Sequence, residues 1–232
     1  MTVLRIIDVE TTGMEPPAAV VIELGYSDLQ RVGDDWIVCP PVSTLFGASS
    51  IPPETRAVHH ISQAEIAGLP PFDPAAMVMG CIGVSALVAH NYAFEALFIG
   101  DHSLPTICTL KAALRVWPEA PGHSNSVLRY WLEDQGLLSL DNATAMPPHR
   151  AGPDAYVTAH ILKALFAAGA TGKDMVAWTK EPRLLPTCPI GKFRGKAWAD
   201  VESGFLNWML AQPTMEADLK WNAEREIARR RA

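Results

Sequence analysis

The sequence has 232 residues, 49% of them hydrophobic, and a formal net charge of −6, which suits one substantial globular core with a small addition. No apolar run approaches about eighteen residues and no basic region precedes a long apolar segment, so membrane spanning and secretion are disfavoured and a cytoplasmic protein is expected. The four cysteines, at positions 39, 81, 108 and 188, show no paired spacing, which argues against a zinc site and a disulfide framework.

Alternating and apolar runs predict five strands and five helices along the first 170 residues. The strands are expected over 3–9, 20–29, 36–42, 86–89 and a short segment around Ile107. The helices are expected over 74–81, 91–99, 110–117, 126–135 and 154–168. Strands come first and then alternate with helices, which predicts an α/β fold in which helices cover a mixed sheet.

The end of the first predicted strand carries two acidic residues in the order Asp8-Val9-Glu10. Residues two apart on a strand point to the same side, so the two carboxylates repel each other unless a cation lies between them. The small residues Thr11, Thr12 and Gly13 follow and allow a ligand to approach the backbone. The pattern predicts a site for a hard metal ion, and the alternative is a solvated turn at the strand end.

A histidine and an acid five residues later form a second candidate group, His149 and Asp154. Pro147-Pro148 before His149 and Gly152-Pro153 after it predict a loop, and Pro153-Asp154 is a helix-start signal. Asp154 is therefore expected in the first turn of a helix. The alternative for His149 is an ordinary exposed loop histidine.

Three motifs in this order resemble the DEDDh 3′-5′ exonuclease family, which includes the proofreading epsilon subunit of replicative DNA polymerases. They are Asp8-x-Glu10 with its Thr-Thr-Gly, His90-Asn91-x-x-Phe94-Glu95, and His149 with Asp154. The resemblance implies a ribonuclease H-like fold, with a mixed five-stranded sheet flanked by helices. It also implies two Mg²⁺ or Mn²⁺ ions in one active site.

The resemblance further implies a role for each matching residue. Asp8 would bridge the two ions, Glu10 and Asp154 would complete the shell of the first, and Glu95 would serve the second. His149 would be the general base, which suits an imidazole at neutral pH. Thr11, Thr12 and Gly13 would hold the terminal nucleotide, and Asn91 would support the site by hydrogen bonding.

Two positions depart from the family pattern. Glu95 stands where the family has aspartate, so its carboxylate reaches further; it either still serves the metal site or is a helix-surface glutamate beside a core Phe94. The segment around His59 resembles a family loop with a His-Gly-Ile-Thr pattern, but His60 replaces the glycine. His59 is therefore expected either to contact the substrate or to serve as a packing or capping residue.

The end of the chain is similar to the carboxy-terminal extension of exonuclease X-like proteins. Gly191-Lys192 and Gly195-Lys196 flank aromatic and basic residues, so Lys192 and Lys196 are expected to pair with phosphate and Phe193 or Trp198 to stack on a base. The alternative is a small surface-bound unit anchored by its aromatic residues. Residues 1–172 carry 8 Lys or Arg against 17 Asp or Glu, whereas residues 173–232 carry 11 against 8, so the end is the basic part. We expect an exonuclease domain over 1–180 and the extension over 181–232.

The leading hypothesis is therefore a metal-dependent 3′-5′ exodeoxyribonuclease that releases nucleoside 5′-monophosphates from single-stranded or duplex DNA 3′ ends in repair or end processing. The first alternative is an exoribonuclease that trims RNA ends. The second, motivated by Glu95, is a weakly active domain that binds nucleic acid. Some relatives in the family are homodimers, so a homodimer is one assembly to expect.

Overall fold

The computed structural model describes residues 2–231 and has an α/β fold built on a six-stranded mixed sheet. The sheet order is β3-β2-β1-β5-β6, and β4 also pairs with β2. β1 and β2 are antiparallel, whereas β1, β5 and β6 run parallel. The strands are β1 (Val3–Thr11), β2 (Val21–Val32), β3 (Asp35–Val38), β4 (Val42–Leu45), β5 (Ala86–Ala89) and β6 (Thr106–Cys108).

The predicted number of five strands was wrong by one, because the third predicted strand is two strands. The sequence Cys39-Pro40-Pro41 interrupts it, and proline has no N–H to donate to a ladder. β2 is 12 residues long, so its outer edge accommodates β3 along Leu29–Val32 and β4 along Glu23–Tyr26.

The described part of the chain contains ten α-helices. Their bounds are α1 (Pro53–His59), α2 (Gln63–Ile66), α3 (Pro74–Met79), α4 (Glu95–Ile99), α5 (Thr109–Val116), α6 (Asn125–Asp134), α7 (Ala151–Ala167), α8 (Gly172–Lys180), α9 (Ser203–Ala211) and α10 (Ala217–Arg231). α7 begins three residues before its predicted start, so Pro153 lies inside the first turn, where its missing N–H costs nothing.

The main core lies between the sheet and helices α5, α6 and α7. Its fully buried members include Ile6 of β1, Val88 of β5 and Leu165 of α7. α7 also approaches β2 very closely, because a Cβ atom added at Gly25 would lie 2.0 Å from the carbonyl carbon of Ala151. The first turn of α7 is therefore fixed against the strand that neighbours β1.

The last part of the chain has a hydrophobic cluster of its own. Its buried members are Cys188, Val201, Leu206, Met209, Leu219 and Ala223. Arg183 forms an ion pair with Asp218 of α10, and the side-chain amide of Asn222 donates to the Arg183 carbonyl at 2.8 Å. Arg115 of α5 pairs at 2.7 Å with Glu181, the residue after α8, so the segment that leads from α8 to this cluster contacts α5. Across residues 2–231, none of the helices is long and apolar enough to cross a membrane.

Candidate active site

Three carboxylates from two elements meet at one edge of the sheet. Asp8 and Glu10 lie near the C-terminal end of β1, and Asp154 lies in the first turn of α7. One oxygen from each carboxylate can be chosen so that all three lie within 4.8 Å of one another. Since carboxylate oxygens are the preferred ligands of hard divalent cations, this group can hold such an ion.

The electrostatics of the group favour a bound cation. Burial raises the pKa of Asp8 well above its usual range, and the nearby Glu95, Asp154 and Glu10 carboxylates raise it further. Burial, with the Asp154 and Glu23 carboxylates, raises the pKa of Glu10 to about 8. Burial also raises the pKa of Asp154. Carboxylates that repel one another in a poorly solvated site are stabilised in their charged form by a divalent cation.

Glu95 is a buried acid beside this group. It is the first residue of α4 and only 3% exposed, and among residues 2–231 its Oε2 atom has no hydrogen-bond partner. Burial raises the pKa of Glu95 to about 8. Glu95 raises the pKa of Asp8, although within the described residues it lies outside the group of three carboxylates. The structure thus does not match the helix-surface alternative for Glu95.

His149 is exposed and lies in a loop, as its flanking prolines predict. It has a positive φ of 58°, a left-handed conformation that costs energy in a residue with a side chain. Its backbone N–H donates to Oδ2 of Asp154 at 2.9 Å. The histidine and one acid of the cluster are therefore joined by a direct hydrogen bond.

Sequence reasoning missed two residues at this site, Glu23 of β2 and Arg150. Glu23 is 1% exposed and lies opposite Glu10 in the β1–β2 ladder. The Arg150 guanidinium donates to both Glu23 carboxylate oxygens, at 2.9 and 3.0 Å. The available signal was the position of Glu23 between the apolar residues Ile22 and Leu24 of a predicted strand, because an acid that is buried there needs a charged partner.

Thr11 and Thr12, which were expected to hold the terminal nucleotide, form hydrogen bonds that fix the loop after β1. The Thr11 hydroxyl donates to the Gly13 carbonyl at 2.6 Å, and the Thr12 hydroxyl accepts from the Val20 N–H at 3.0 Å. Both threonines are buried. Asn91 is exposed, with a φ of 71°, in the turn between β5 and α4. These bonds fix the loop backbone beside Asp8 and Glu10.

His59 is a buried histidine at the end of α1. Its Nδ1 atom accepts from the Ile61 N–H at 3.0 Å, so Nε2 carries the hydrogen of the neutral ring. Nε2 is buried and has no partner within the described chain. Burial lowers the pKa of His59, and the nearby Glu23 opposes that shift. His59 is thus both a packing residue and a donor close to Glu23.

The aromatic residues of the C-terminal loop are used in packing. The Trp198 indole donates to the Leu185 carbonyl at 2.8 Å, and the Phe193 ring lies 5.0 Å from that of Phe205. Lys192 pairs with Glu202 at 2.9 Å, and Lys196 is exposed. Phe193 and Trp198 therefore pack within the hydrophobic cluster of the C-terminal unit itself, and both lysines are at the surface.

Known proteins resemble this chain over most of its length. A family model described as exonuclease (RNase_T) matches residues 6–162. Exodeoxyribonuclease 10 of Escherichia coli strain K12 is 32% identical over 210 residues, covering 89% of this chain and 90% of the relative.

Solved structures share the fold. The structure of exonuclease X in complex with 5′ overhanging duplex DNA matches with a TM-score of 0.60 and 28% identity, covering 76% of this chain and 99% of that one. E. coli exonuclease I in complex with a dA16 oligonucleotide has a TM-score of 0.54 at 14% identity, covering 77% and 43%, which is a likeness of fold alone. The predicted ribonuclease H-like fold is confirmed. Since the family model spans more than half of the chain, this protein belongs to the exonuclease family, whose members hydrolyse phosphodiester bonds.

Proposed function

We propose that this protein is a divalent-metal-dependent 3′-5′ exodeoxyribonuclease that releases nucleoside 5′-monophosphates from DNA 3′ ends, in repair or end processing. The observation that carries the proposal is the meeting of Asp8, Glu10 and Asp154 within 4.8 Å, with His149 hydrogen-bonded to Asp154. DNA as the substrate is supported by the 32% identity to an exodeoxyribonuclease and by the match to exonuclease X bound to DNA.

The type of donor fits Mg²⁺ or Mn²⁺, because the group consists of carboxylate oxygens and includes neither cysteine nor a histidine ring. The family resemblance implies two such ions. Asp8, Glu10 and Asp154 would hold the first ion, with Asp8 shared, and Glu95 would serve the second. The buried, unpartnered Oε2 atom of Glu95 supports that role. When bound, such a pair of ions stabilises the attacking and leaving oxygens of a displacement at phosphorus.

The protein's own residues move the proton and fix the geometry. His149, on an exposed loop next to the acids, would accept a proton from the water that attacks the terminal phosphodiester. The water oxygen forms a new P–O bond as the bond to the 3′-oxygen of the preceding nucleotide breaks. The leaving 3′-oxygen takes up a proton from solvent, and His149 returns its proton to solvent. The products are a nucleoside 5′-monophosphate and a strand shortened by one residue.

Residues around the acids would receive the terminal nucleotide. The backbone of Thr11, Thr12 and Gly13 is held by side-chain hydrogen bonds, so its polar groups are already oriented before a ligand binds. His59 has a buried donor without a protein partner among residues 2–231, and a nucleotide would satisfy it. Asn91 lies exposed four residues before Glu95 and would support the site by hydrogen bonding.

The unit over residues 181–232 would extend the nucleic-acid surface. Its separate hydrophobic cluster supports a boundary near residue 181. Lys192 and Lys196 are at its surface and would attract phosphates of the strand upstream of the cleaved end. Because Phe193 and Trp198 are used in packing, this contribution would be electrostatic.

The decisive experiment is digestion of 5′-labelled single-stranded DNA, duplex DNA and RNA of matched sequence, with magnesium, by the native protein and by Asp8→Ala. We expect a descending ladder from the 3′ end of DNA that chelation and Asp8→Ala abolish. Asp101→Ala removes an exposed carboxylate outside the cluster and should leave the ladder unchanged. Preference for RNA would favour the exoribonuclease alternative. Binding without a ladder in magnesium or manganese would favour a binding domain.

A further inference from the structure

A buried acid on β2 holds the segment that carries His149. Glu23 accepts two hydrogen bonds from the Arg150 guanidinium and a third, at 3.1 Å, from the backbone N–H of Ala151. Its carboxylate is 1% exposed, whereas the Arg150 side chain is 28% exposed. A charge this well buried is tolerated only when it is paired and hydrogen-bonded, so this contact is specific and costly to break.

The contact joins two parts of the active site that are far apart in sequence. Glu23 lies opposite Glu10 in the β1–β2 ladder, and Arg150 directly follows His149. The close approach of Gly25 to Ala151 brings the start of α7 against the same strand. The ion pair therefore links the strand beside the β1 carboxylates to the residue after the proposed general base.

Asp154 is held from two further directions. Its Oδ2 atom accepts from the His149 N–H, and its carbonyl accepts from the Asn125 side-chain amide at 3.1 Å. The segment from His149 to Asp154 is thus fixed at both ends, at the start by Glu23 and at the end by Asn125. Catalytic groups need positions correct to about half an ångström, and second contacts of this kind supply that precision.

We propose that the Glu23–Arg150 ion pair is a positioning device that sets His149 and Asp154 against Asp8 and Glu10 for the exonuclease reaction. Glu23 and Arg150 are positioning residues, since they act through the residues they hold. This inference rests on the proposed function.

The test compares Arg150→Gln, Glu23→Gln and the double variant with the native protein, in magnesium, on single-stranded DNA. Loss of position slows the chemical step, so each single variant should lower kcat by about tenfold or more with KM nearly unchanged. The two residues act as one unit, so the double variant should be no slower than the slower single variant. Arg150→Lys keeps the charge but loses the two-point contact, and should recover part of the rate.

A matched control breaks a similar ion pair away from the acids. Arg5 of β1 donates to both carboxylate oxygens of Asp28 on β2, each at 2.8 Å. Arg5→Gln should lower the thermal unfolding temperature and leave kcat unchanged. Unfolding temperatures of all variants show whether a rate loss accompanies a loss of folding.

Four results would overturn the proposal while the native protein still degrades DNA. An unchanged kcat with a lowered unfolding temperature, as for Arg5→Gln, would make the pair purely structural. A raised KM with normal kcat would make Arg150 a substrate contact. If the losses in kcat of the two single variants multiply in the double variant, the two residues do not act as one unit. If Arg150→Gln does not fold, a native rate for Arg150→Lys would also contradict it. No cleavage by the native protein would instead overturn the proposed function.

Discussion

The backbone N–H of His149 donates to Oδ2 of Asp154 at 2.9 Å, so the proposed general base and a proposed metal ligand share one hydrogen bond. The bond involves the backbone N–H of His149 and not its imidazole, and the residue is exposed. A substitution of the imidazole can therefore remove the base without removing the contact that helps to hold Asp154. The two roles can be separated by experiment.

His149→Ala should lower kcat on single-stranded DNA by about 10²- to 10⁴-fold, because a general base acts in the transition state. Metal affinity and substrate affinity should remain close to native, since the Asp154 hydrogen bond comes from the backbone. Single-turnover cleavage and equilibrium binding in calcium measure the two quantities separately. A large loss of binding with normal turnover would show that His149 positions the substrate instead.

Glu95→Gln should have opposite effects on activity and on stability. If Glu95 serves a metal ion, the loss of its charge lowers kcat by on the order of 100-fold. Without metal, the folded protein keeps Glu95 protonated up to about pH 8, whereas the unfolded chain ionises it near pH 4.5. The free energy of unfolding of the native protein therefore falls as pH rises from about 4.5 to 8. In EDTA at pH 8, Glu95→Gln should therefore unfold at a higher temperature than the native protein.

Glu95→Asp is the companion variant. It restores the residue type of the family at this position while shortening the side chain by one methylene. Activity equal to or above that of the native protein would show that the site tolerates an acidic side chain of either length. Activity unchanged by both Glu95→Gln and Glu95→Asp would exclude a metal role for this residue.

The sequence predicted the parts of the site that depend on strand periodicity and order. Asp8 and Glu10 were placed together because residues two apart share a side of a strand, and Asp154 was placed in the first turn of a helix. The sequence could not give the partner of Glu23, because the contact with Arg150 depends on the packing of α7 on β2. The division into β3 and β4 is readable from Pro40-Pro41, but the pairing of both strands with β2 is not, because it depends on the length of β2.

The sequence also could not predict whether the aromatic residues of the C-terminal loop are exposed. A Gly-Lys pair beside Phe193 or Trp198 has the composition of a base-stacking loop and of a packed turn alike. Only the hydrogen bond from Trp198 to Leu185 and the contact of Phe193 with Phe205 separate the two. In this segment, the exposure of the charged residues was therefore easier to predict from sequence than that of the aromatic residues.

Lys192→Gln with Lys196→Gln should weaken binding of long single-stranded DNA while leaving cleavage of a dinucleotide at the native rate. Each lost phosphate contact should make the slope of log affinity against log salt shallower by about 0.7. Fluorescence anisotropy across a salt series measures this slope. Lys163→Gln removes an exposed charge on α7 and serves as the control. An unchanged slope in the double variant would remove these lysines from the nucleic-acid surface.

His160 should make folding stability depend on pH. Burial lowers the pKa of His160 to about 4, and its Nε2 atom has no partner in residues 2–231. In the unfolded chain His160 takes up a proton near pH 6.5, whereas in the folded protein it does so only near pH 4. The stabilisation of the folded state by neutral His160 is therefore fully present above pH 6.5 and is lost as pH falls toward 4. The loss amounts to on the order of 3 kcal/mol at pH 4. Urea unfolding of His160→Leu and native protein at pH 7, 5.5 and 4.5 should show a flatter profile for the variant. Parallel profiles would mean that His160 is protonated in the folded protein.

Gly25→Ala should separate the packing of α7 on β2 from the chemistry of the acids. An added Cβ would lie 2.0 Å from the Ala151 carbonyl carbon and 2.2 Å from the Gly152 nitrogen. Both are backbone atoms, so no side-chain rotation can relieve the clash. Either α7 moves or the strand distorts, so we expect a loss of roughly 3 kcal/mol or more of folding stability. Gly172→Ala, at the start of α8, meets no atom within 4 Å and should be neutral or stabilising by up to about 1 kcal/mol. Because the shifted helix carries Asp154, the folded fraction of Gly25→Ala should also bind metal more weakly, which calorimetric titration with manganese would measure. Native affinity in a destabilised Gly25→Ala protein would show that the acid cluster does not depend on this close approach.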